Sequence, residues 1–285
     1  MQKRALGNTG DTLSLIGLGG VVYVQMDQQT ANELTAEAVE RGVNYFDVAP
    51  SYGKEQETEL RMGEALKPYR DSVFLACKTT CRNREGAERE LNQSLKNLQT
   101  DRFDLYQLHA ISSVEEVKTC FAVGGAMEAV LAAQAAGKIR HIGFSAHSAE
   151  AALYAMDTFP FVSALFPINF VTWSRGNFGP QIMAKAEEKG VARLALKAMA
   201  RTNWAEGAER SFPHCWYEPL SDPHQAQLAL RYTLSQNITA AVPPGDPRLF
   251  RLALEIAERF NPLTNSEESE LLQIAEQLAP IFQAA

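Results

Sequence analysis

The chain has 285 residues, 46% hydrophobic and 21% charged, with 27 Lys and Arg against 34 Asp and Glu for a formal charge of −7. That apolar fraction excludes a disordered chain, and the length allows a core that needs no disulfide or metal staple. The acidic balance excludes nucleic acid and anionic membrane surfaces as partners, so any small anion must be held at a locally basic spot. No stretch approaches the roughly 20 apolar residues of a spanning helix. Lys3 and Arg4 are not followed by an apolar run or a cleavage site, so the chain is expected to be cytoplasmic. Cys77, Cys81, Cys120 and Cys215 form no Cys-x-x-Cys pair and read as reduced thiols.

Residues 3–14 read as a β-hairpin with its turn at Asn8, Gly10 and Asp11. Eight short apolar runs follow, at 15–18, 44–47, 73–78, 103–108, 139–145, 163–168, 191–197 and 238–242. Most lack polar alternation, as expected of parallel strands covered on both faces. Helical patterns lie between them. Thr30 with Glu33 suggests a capping box. Ala87, Leu91, Leu95 and Leu98 mark one helix face, and Leu249, Leu252, Ala253, Ile256 and Phe260 another. Gly42, Gly137 and Gly190 precede strands where helix ends favour a left-handed residue. Residues 199–221, with Trp204, Pro213, Trp216 and Pro219, read as a long irregular loop of functional type. A last helix places Leu271, Ile274, Ala275 and Leu278 on one face.

Eight strand–helix alternations without a linker predict one domain over 1–285: a (β/α)8 TIM barrel with an N-terminal β-hairpin and a C-terminal accessory helix. An open doubly wound sheet is the competing layout. It usually carries G-x-G-x-x-G after its first strand, but here Gly17-Leu18-Gly19-Gly20-Val21-Val22 lacks the third glycine.

A barrel's active site lies at the C-terminal strand ends. The second to seventh strands end at or near Asp47, Lys78, His109, Ser145, Asn169 and Lys197, at spacings of 24 to 36 residues. A polar residue ending a buried apolar strand is unfavourable unless it is paired or faces the open mouth. Tyr52 lies on the loop after Asp47. Tyr, Lys, Asp and His together suit carbonyl reduction. The reduced carbon takes hydride, its oxygen takes a proton, a nearby ammonium lowers a tyrosine's pKa, and a carboxylate holds that ammonium. No side chain donates hydride, so a nicotinamide or flavin is required.

Phe46-Asp47-Val48-Ala49-Pro50-Ser51-Tyr52-Gly53 resembles the signature of the aldo-keto reductases around their Asp and Tyr. Leu75-Ala76-Cys77-Lys78-Thr79, Phe103-Asp104-Leu105-Tyr106-Gln107-Leu108-His109 and Gly137-Lys138-Ile139-Arg140-His141-Ile142-Gly143-Phe144-Ser145 resemble that family's third, fourth and fifth strands. The opening Leu6-Gly7-x-Thr9-Gly10 and Ile16-Gly17-Leu18-Gly19 also match, so the resemblance covers nearly the whole chain. It implies Tyr52 as general acid, tuned by Lys78, which pairs with Asp47, while His109 positions the carbonyl.

The resemblance is weaker around the cofactor. It implies nicotinamide contacts from Ser145 and, where the family has Gln, from Asn169, with Phe170 as the stacking ring. After the eighth strand, Ala241-Val242-Pro243-Pro244-Gly245 resembles the family's turn into a phosphate-binding helix. Asp246 then stands where a small or basic residue often holds a 2′-phosphate, and Arg248 and Arg251 are expected to compensate. Lys197 has no counterpart in the family, and with Arg201 it makes a basic rim. NADP(H) is the expected cofactor and NAD(H) the alternative. The expected partner is a small-molecule carbonyl substrate, and the chain is expected to be a monomer or small homo-oligomer. A nicotinamide-nucleotide sensor with little turnover is the second reading. A metal-dependent hydrolase is the third, but His109, His141, His147, Cys77 and Cys81 match no standard ligand spacing, so no metal is expected.

Overall fold

The structure is a computed structural model describing residues 1–284. β1 (Lys3–Ala5) and β2 (Thr12–Ser14) pair antiparallel as the expected hairpin. The chain then runs through β3 (Gly17–Gly19), α1 (Gln28–Glu40), β4 (Tyr45–Asp47), α2 (Glu57–Leu66), β5 (Phe74–Thr79), α3 (Arg84–Asn97), β6 (Phe103–Ile111), α4 (Val114–Phe121), α5 (Ala126–Ala135) and β7 (Ile139–Ala146). It continues through α6 (Ala149–Thr158), β8 (Ser163–Pro167), α7 (Phe170–Gly176), α8 (Pro180–Glu188), β9 (Ala192–Leu196), β10 (Ala200–Asn203), β11 (Tyr217–Pro219), α9 (Pro223–Ser235), β12 (Ala240–Val242), α10 (Pro247–Glu258) and α11 (Asn265–Glu276). β3 to β9 and β12 form one parallel eight-stranded sheet, and each overlaps one of the eight apolar runs. The sheet closes where Ile16 bridges Ala241, with the Ala241 amide donating to Leu15 O at 2.8 Å. This is the expected barrel.

Alternation along the strands sorts the side chains. Tyr45, Phe74, Ala76, Leu105, Leu165, Leu194, Ala240 and Val242 form a cluster inside the barrel, and Leu6 and Leu13 of the hairpin join it. The residues between them, such as Phe46, Leu75, Cys77, Tyr106 and Phe144, pack in the larger outer cluster with the helices. Two residues beyond Tyr45, Ala76 and Leu105 on the inward-facing side come Asp47, Lys78 and Gln107, followed by His109. The register pairs Asp47 with Ala76 and Lys78 with Gln107, so these polar side chains stack above the apolar filling.

Local expectations fare unevenly. Gly42, Gly137 and Gly190 have φ of +85°, +76° and +70°, as expected for left-handed helix ends. Thr30 does not cap α1. Asp27 does, its carboxylate accepting the Thr30 amide, and the capping box lies instead at Thr264 and Glu267 before α11. The buried face of α10 is wider than the expected one: Leu249, Ala253 and Ile256 are buried as expected, Phe250, Leu254 and Ala257 join them, and Leu252 and Phe260 are half-buried. The segment 199–221 is not wholly irregular, because β10 and β11 pair antiparallel within it.

Candidate active site

Asp47 and Lys78 form an ion pair with both side chains almost fully buried. Lys78 Nζ also donates to Val48 O at 3.1 Å. The second Asp47 oxygen accepts from the Tyr45 hydroxyl and Gln107 Nε2, each at 3.0 Å. The carboxylate is therefore held by one cation and two neutral donors, the condition under which burying a charge is tolerable. Burial alone would lower the Lys78 pKa, but the charges of Asp47 and Tyr52 reverse that and raise it. The lysine stays an ammonium at any physiological pH.

The Tyr52 ring centre lies 5.3 Å from Lys78 Nζ and 5.7 Å from the His109 ring, which it meets edge-on. Burial raises the Tyr52 pKa, and the Lys78 ammonium opposes that rise without cancelling it. This corrects the expectation that the ammonium brings Tyr52 below its ordinary value. The phenol is therefore protonated at neutral pH, with the Lys78 ammonium beside it. Burial first, then the Lys78 charge, hold His109 well below the usual histidine range, so its imidazole is neutral.

The peptide joining His109 to Ala110 is gripped at both ends. Arg82, paired with Glu116, donates to His109 O at 2.6 Å, and Ser145 Oγ accepts the Ala110 amide at 2.7 Å. Ala110 takes a left-handed φ of +51°, unusual for a residue with a side chain.

The expected cofactor contacts are brought together only in part. Ser145 and Asn169 stand at the ends of adjacent strands. Asn169 caps α7, its Oδ1 accepting the Val171 and Thr172 amides, and its buried Nδ2 has no partner. Lys197 and Gly245 line one small cavity with Gly19, Asp47, Tyr52, Cys215, Trp216 and Tyr217. Gly245 packs so close to Val21 that a Cβ would lie 2.3 Å from it. The remaining expected contacts lie elsewhere. Phe170 is fully buried in the outer cluster and offers no exposed ring face. Arg201 is held within the β10–β11 hairpin by Glu218 at 2.8 and 2.9 Å. Arg251 reaches Glu37 of α1 at 2.8 Å, away from the mouth. Arg248 does neutralise Asp246, at 2.9 Å, and its guanidinium lies 4.5 Å from the Phe212 ring centre. Sequence reasoning passed over Tyr45, Gln107, Arg82 and Tyr217. Tyr45 and Gln107 sit two residues before Asp47 and His109, so strand alternation was the signal for them.

The fold and the mouth define a member of the aldo/keto reductase family: the model of that family matches residues 15–277, and the chain belongs to it. Its relatives include the aldo-keto reductase YhdN of Bacillus subtilis, 36% identical over 188 residues, which are 59% of this chain and 53% of that one. L-galactose dehydrogenase of Arabidopsis thaliana is 30% identical over 175 residues, 56% of this chain and 53% of that one. The matched segment thus spans about half the length of these curated relatives. The holo form of the aldo-keto reductase AKR11C1 of Bacillus halodurans superposes with a TM-score of 0.75 at 23% identity, covering 99% of this chain and 98% of that one. Among the described residues no helix is long and apolar enough to cross a membrane.

Proposed function

We propose that the protein reversibly reduces an aldehyde or ketone to an alcohol with a nicotinamide dinucleotide, Tyr52 serving as general acid. The observation that carries this reading is the buried Asp47–Lys78 pair under the Tyr52 ring, with a neutral His109 against its edge. A bound nicotinamide dinucleotide would supply the hydride. As negative charge develops on the carbonyl oxygen, Tyr52 donates its proton there, and Lys78 stabilises the phenolate that remains. His109, uncharged, donates a hydrogen bond that orients the same oxygen without competing for the proton. Asp47 keeps Lys78 charged and in place.

The residues present fit such a cofactor. Asn169 Nδ2 is a buried donor lacking an acceptor, Ser145 retains its hydroxyl proton for donation because its oxygen already accepts from Ala110, and Gly19 and Gly245 present backbone to the cavity. The cavity, about 80 Å³, is far smaller than the several hundred Å³ of an ordinary ligand site. His214, Cys215, Trp216 and Tyr217 form its outer wall. The rim after β12 favours NAD(H) over the NADP(H) expected from the sequence. Asp246 caps α10 with its own carboxylate and pairs with Arg248, while Arg251 is paired with Glu37, so both arginines expected to hold a 2′-phosphate are already engaged.

The test is Tyr52→Phe with paired NADH and NADPH titrations. The wild type should oxidise NADH in the presence of a carbonyl. The variant should lose turnover by at least about a hundredfold while its dinucleotide Kd stays within about twofold. A wild type that binds dinucleotide but reduces no member of a broad carbonyl panel would replace this reading with that of a nucleotide sensor. Tighter binding of NADPH than NADH would refute the cofactor assignment.

A further inference from the structure

Lys197 is the one lysine in the mouth that the reaction above leaves without a task. It follows directly on β9, whose inward positions are Ala192, Leu194 and Leu196. A residue continuing that strand would turn outward toward the helices. Instead Lys197 takes a left-handed φ of +65°, a conformation natural to glycine and unfavourable for a lysine. The turn brings its side chain back to the cavity shared with Asp47 and Tyr52. There its Nζ lies 5.5 Å from the Trp216 ring centre and 5.1 Å from that of Tyr217.

Among the described residues its ammonium makes no ion pair. Three nearby carboxylates are taken by other cations: Asp47 by Lys78, Glu218 by Arg201 and Asp246 by Arg248. His109 and His147 add no charge, since burial holds both below neutral pH, His147 down to about 4. Aromatic faces compensate a desolvated cation only partly. Burial, with the Lys78 charge acting the same way, pushes Lys197 down to about 8, so near pH 7 it is still mostly charged. Among the described residues, the mouth thus sets two ammonium groups, Lys78 and Lys197, against the one Asp47 carboxylate, and Lys197 shares the cavity with Tyr52.

We propose that Lys197 is the receptor for an oxyanion on the substrate, and that the enzyme's substrates are aldehydes or ketones bearing a carboxylate. This rests on the carbonyl-reductase reading above. The ammonium supplies the charge, and Trp216 and Tyr217 shield the ion pair from water and so strengthen it. The same oxyanion chemistry is offered by a dinucleotide's pyrophosphate, and the test separates the two sources.

Two measurements on the full chain are needed, on wild type, Lys197→Met and Lys197→Arg. The first is the ratio of kcat/KM for 4-carboxybenzaldehyde to that for benzaldehyde. A lost charge-assisted hydrogen bond predicts a fall of at least about tenfold in Lys197→Met and partial recovery in Lys197→Arg. The second needs no turnover: intrinsic tryptophan fluorescence, to which Trp216 in the cavity wall contributes, follows titration with each aldehyde, and separately with NADH. Wild type should bind the carboxylate-bearing aldehyde more tightly, and Lys197→Met should lose that preference while its NADH Kd changes less than threefold. An unchanged ratio, or equal binding of the two aldehydes by wild type, overturns the proposal. So does an NADH Kd that weakens tenfold in Lys197→Met, which would assign Lys197 to the pyrophosphate. If no carbonyl is turned over, the catalytic reading fails, while the binding measurement still decides the role of Lys197.

Discussion

Replacing Lys78 with Met isolates the ion pair beneath Tyr52. Methionine fills nearly the same volume, so the change leaves little cavity. It does leave the Asp47 carboxylate buried with only two neutral donors, Tyr45 and Gln107. Removing one partner of a buried pair destabilises by about 3–5 kcal/mol, because the other charge is left uncompensated. For a chain of this size that lowers Tm on the order of 10 °C. An unpaired buried carboxyl titrates above its ordinary value. A carboxyl whose folded pKa is raised loses stability as pH rises, so Lys78→Met should be close to wild type near pH 4 and fall behind it toward pH 7. Adding Asp47→Asn removes the stranded charge and should recover most of the loss at pH 7. The assay is thermal unfolding of wild type, both single variants and the double variant at pH 4 to 8, read as a double-mutant cycle. A Lys78→Met deficit that is constant across that range, or a double variant as unstable as Lys78→Met at pH 7, would refute the reasoning.

Two further outcomes follow from the same mouth. His147 is held down to about 4 by burial, followed by the Lys197 charge. A histidine with a depressed folded pKa gives stability that is full above pH 6.5 and lost as pH falls toward the folded value. His147→Gln should therefore flatten the decline of stability between pH 6.5 and 4 by about 3 kcal/mol in urea unfolding, and an unchanged slope would count against it. Arg82→Ala releases one end of the His109–Ala110 peptide. It should lower kcat about tenfold with little change in dinucleotide Kd, and Arg82→Lys should restore part of the rate; equal loss in both variants would point to a fold defect instead.

The strands were legible because a parallel barrel strand is covered on both faces and reads as an unbroken apolar run. The polar residues of the mouth were legible for the complementary reason: Asp47, Lys78 and His109 are where those runs stop. The partners of long side chains were not. Arg251 reaches Glu37, more than two hundred residues earlier in the chain, and Arg201 pairs across a hairpin that no tight-turn motif announced. Such choices are made between elements that meet only in the folded barrel. Asp27 won the cap of α1 over Thr30 because its carboxylate lies at the start of the helix, and Thr30 then sits inside the first turn. Phe170 became core because Asn169 starts α7 directly at the strand end.

The barrel's closure gives the mouth a division of labour. Asp47, Tyr52, Lys78 and His109 all come from β4, β5, β6 and the loop after β4, whereas Lys197, Trp216, Tyr217 and Gly245 come from the opposite arc, after β9 and around β12. On the proposed reading, proton handling and ligand choice fall to separate halves of one ring. Grafting the second half from a relative onto the first should exchange what is bound while leaving the acid–base machinery in register, so the molecule behaves as an assembly of two interchangeable semicircles.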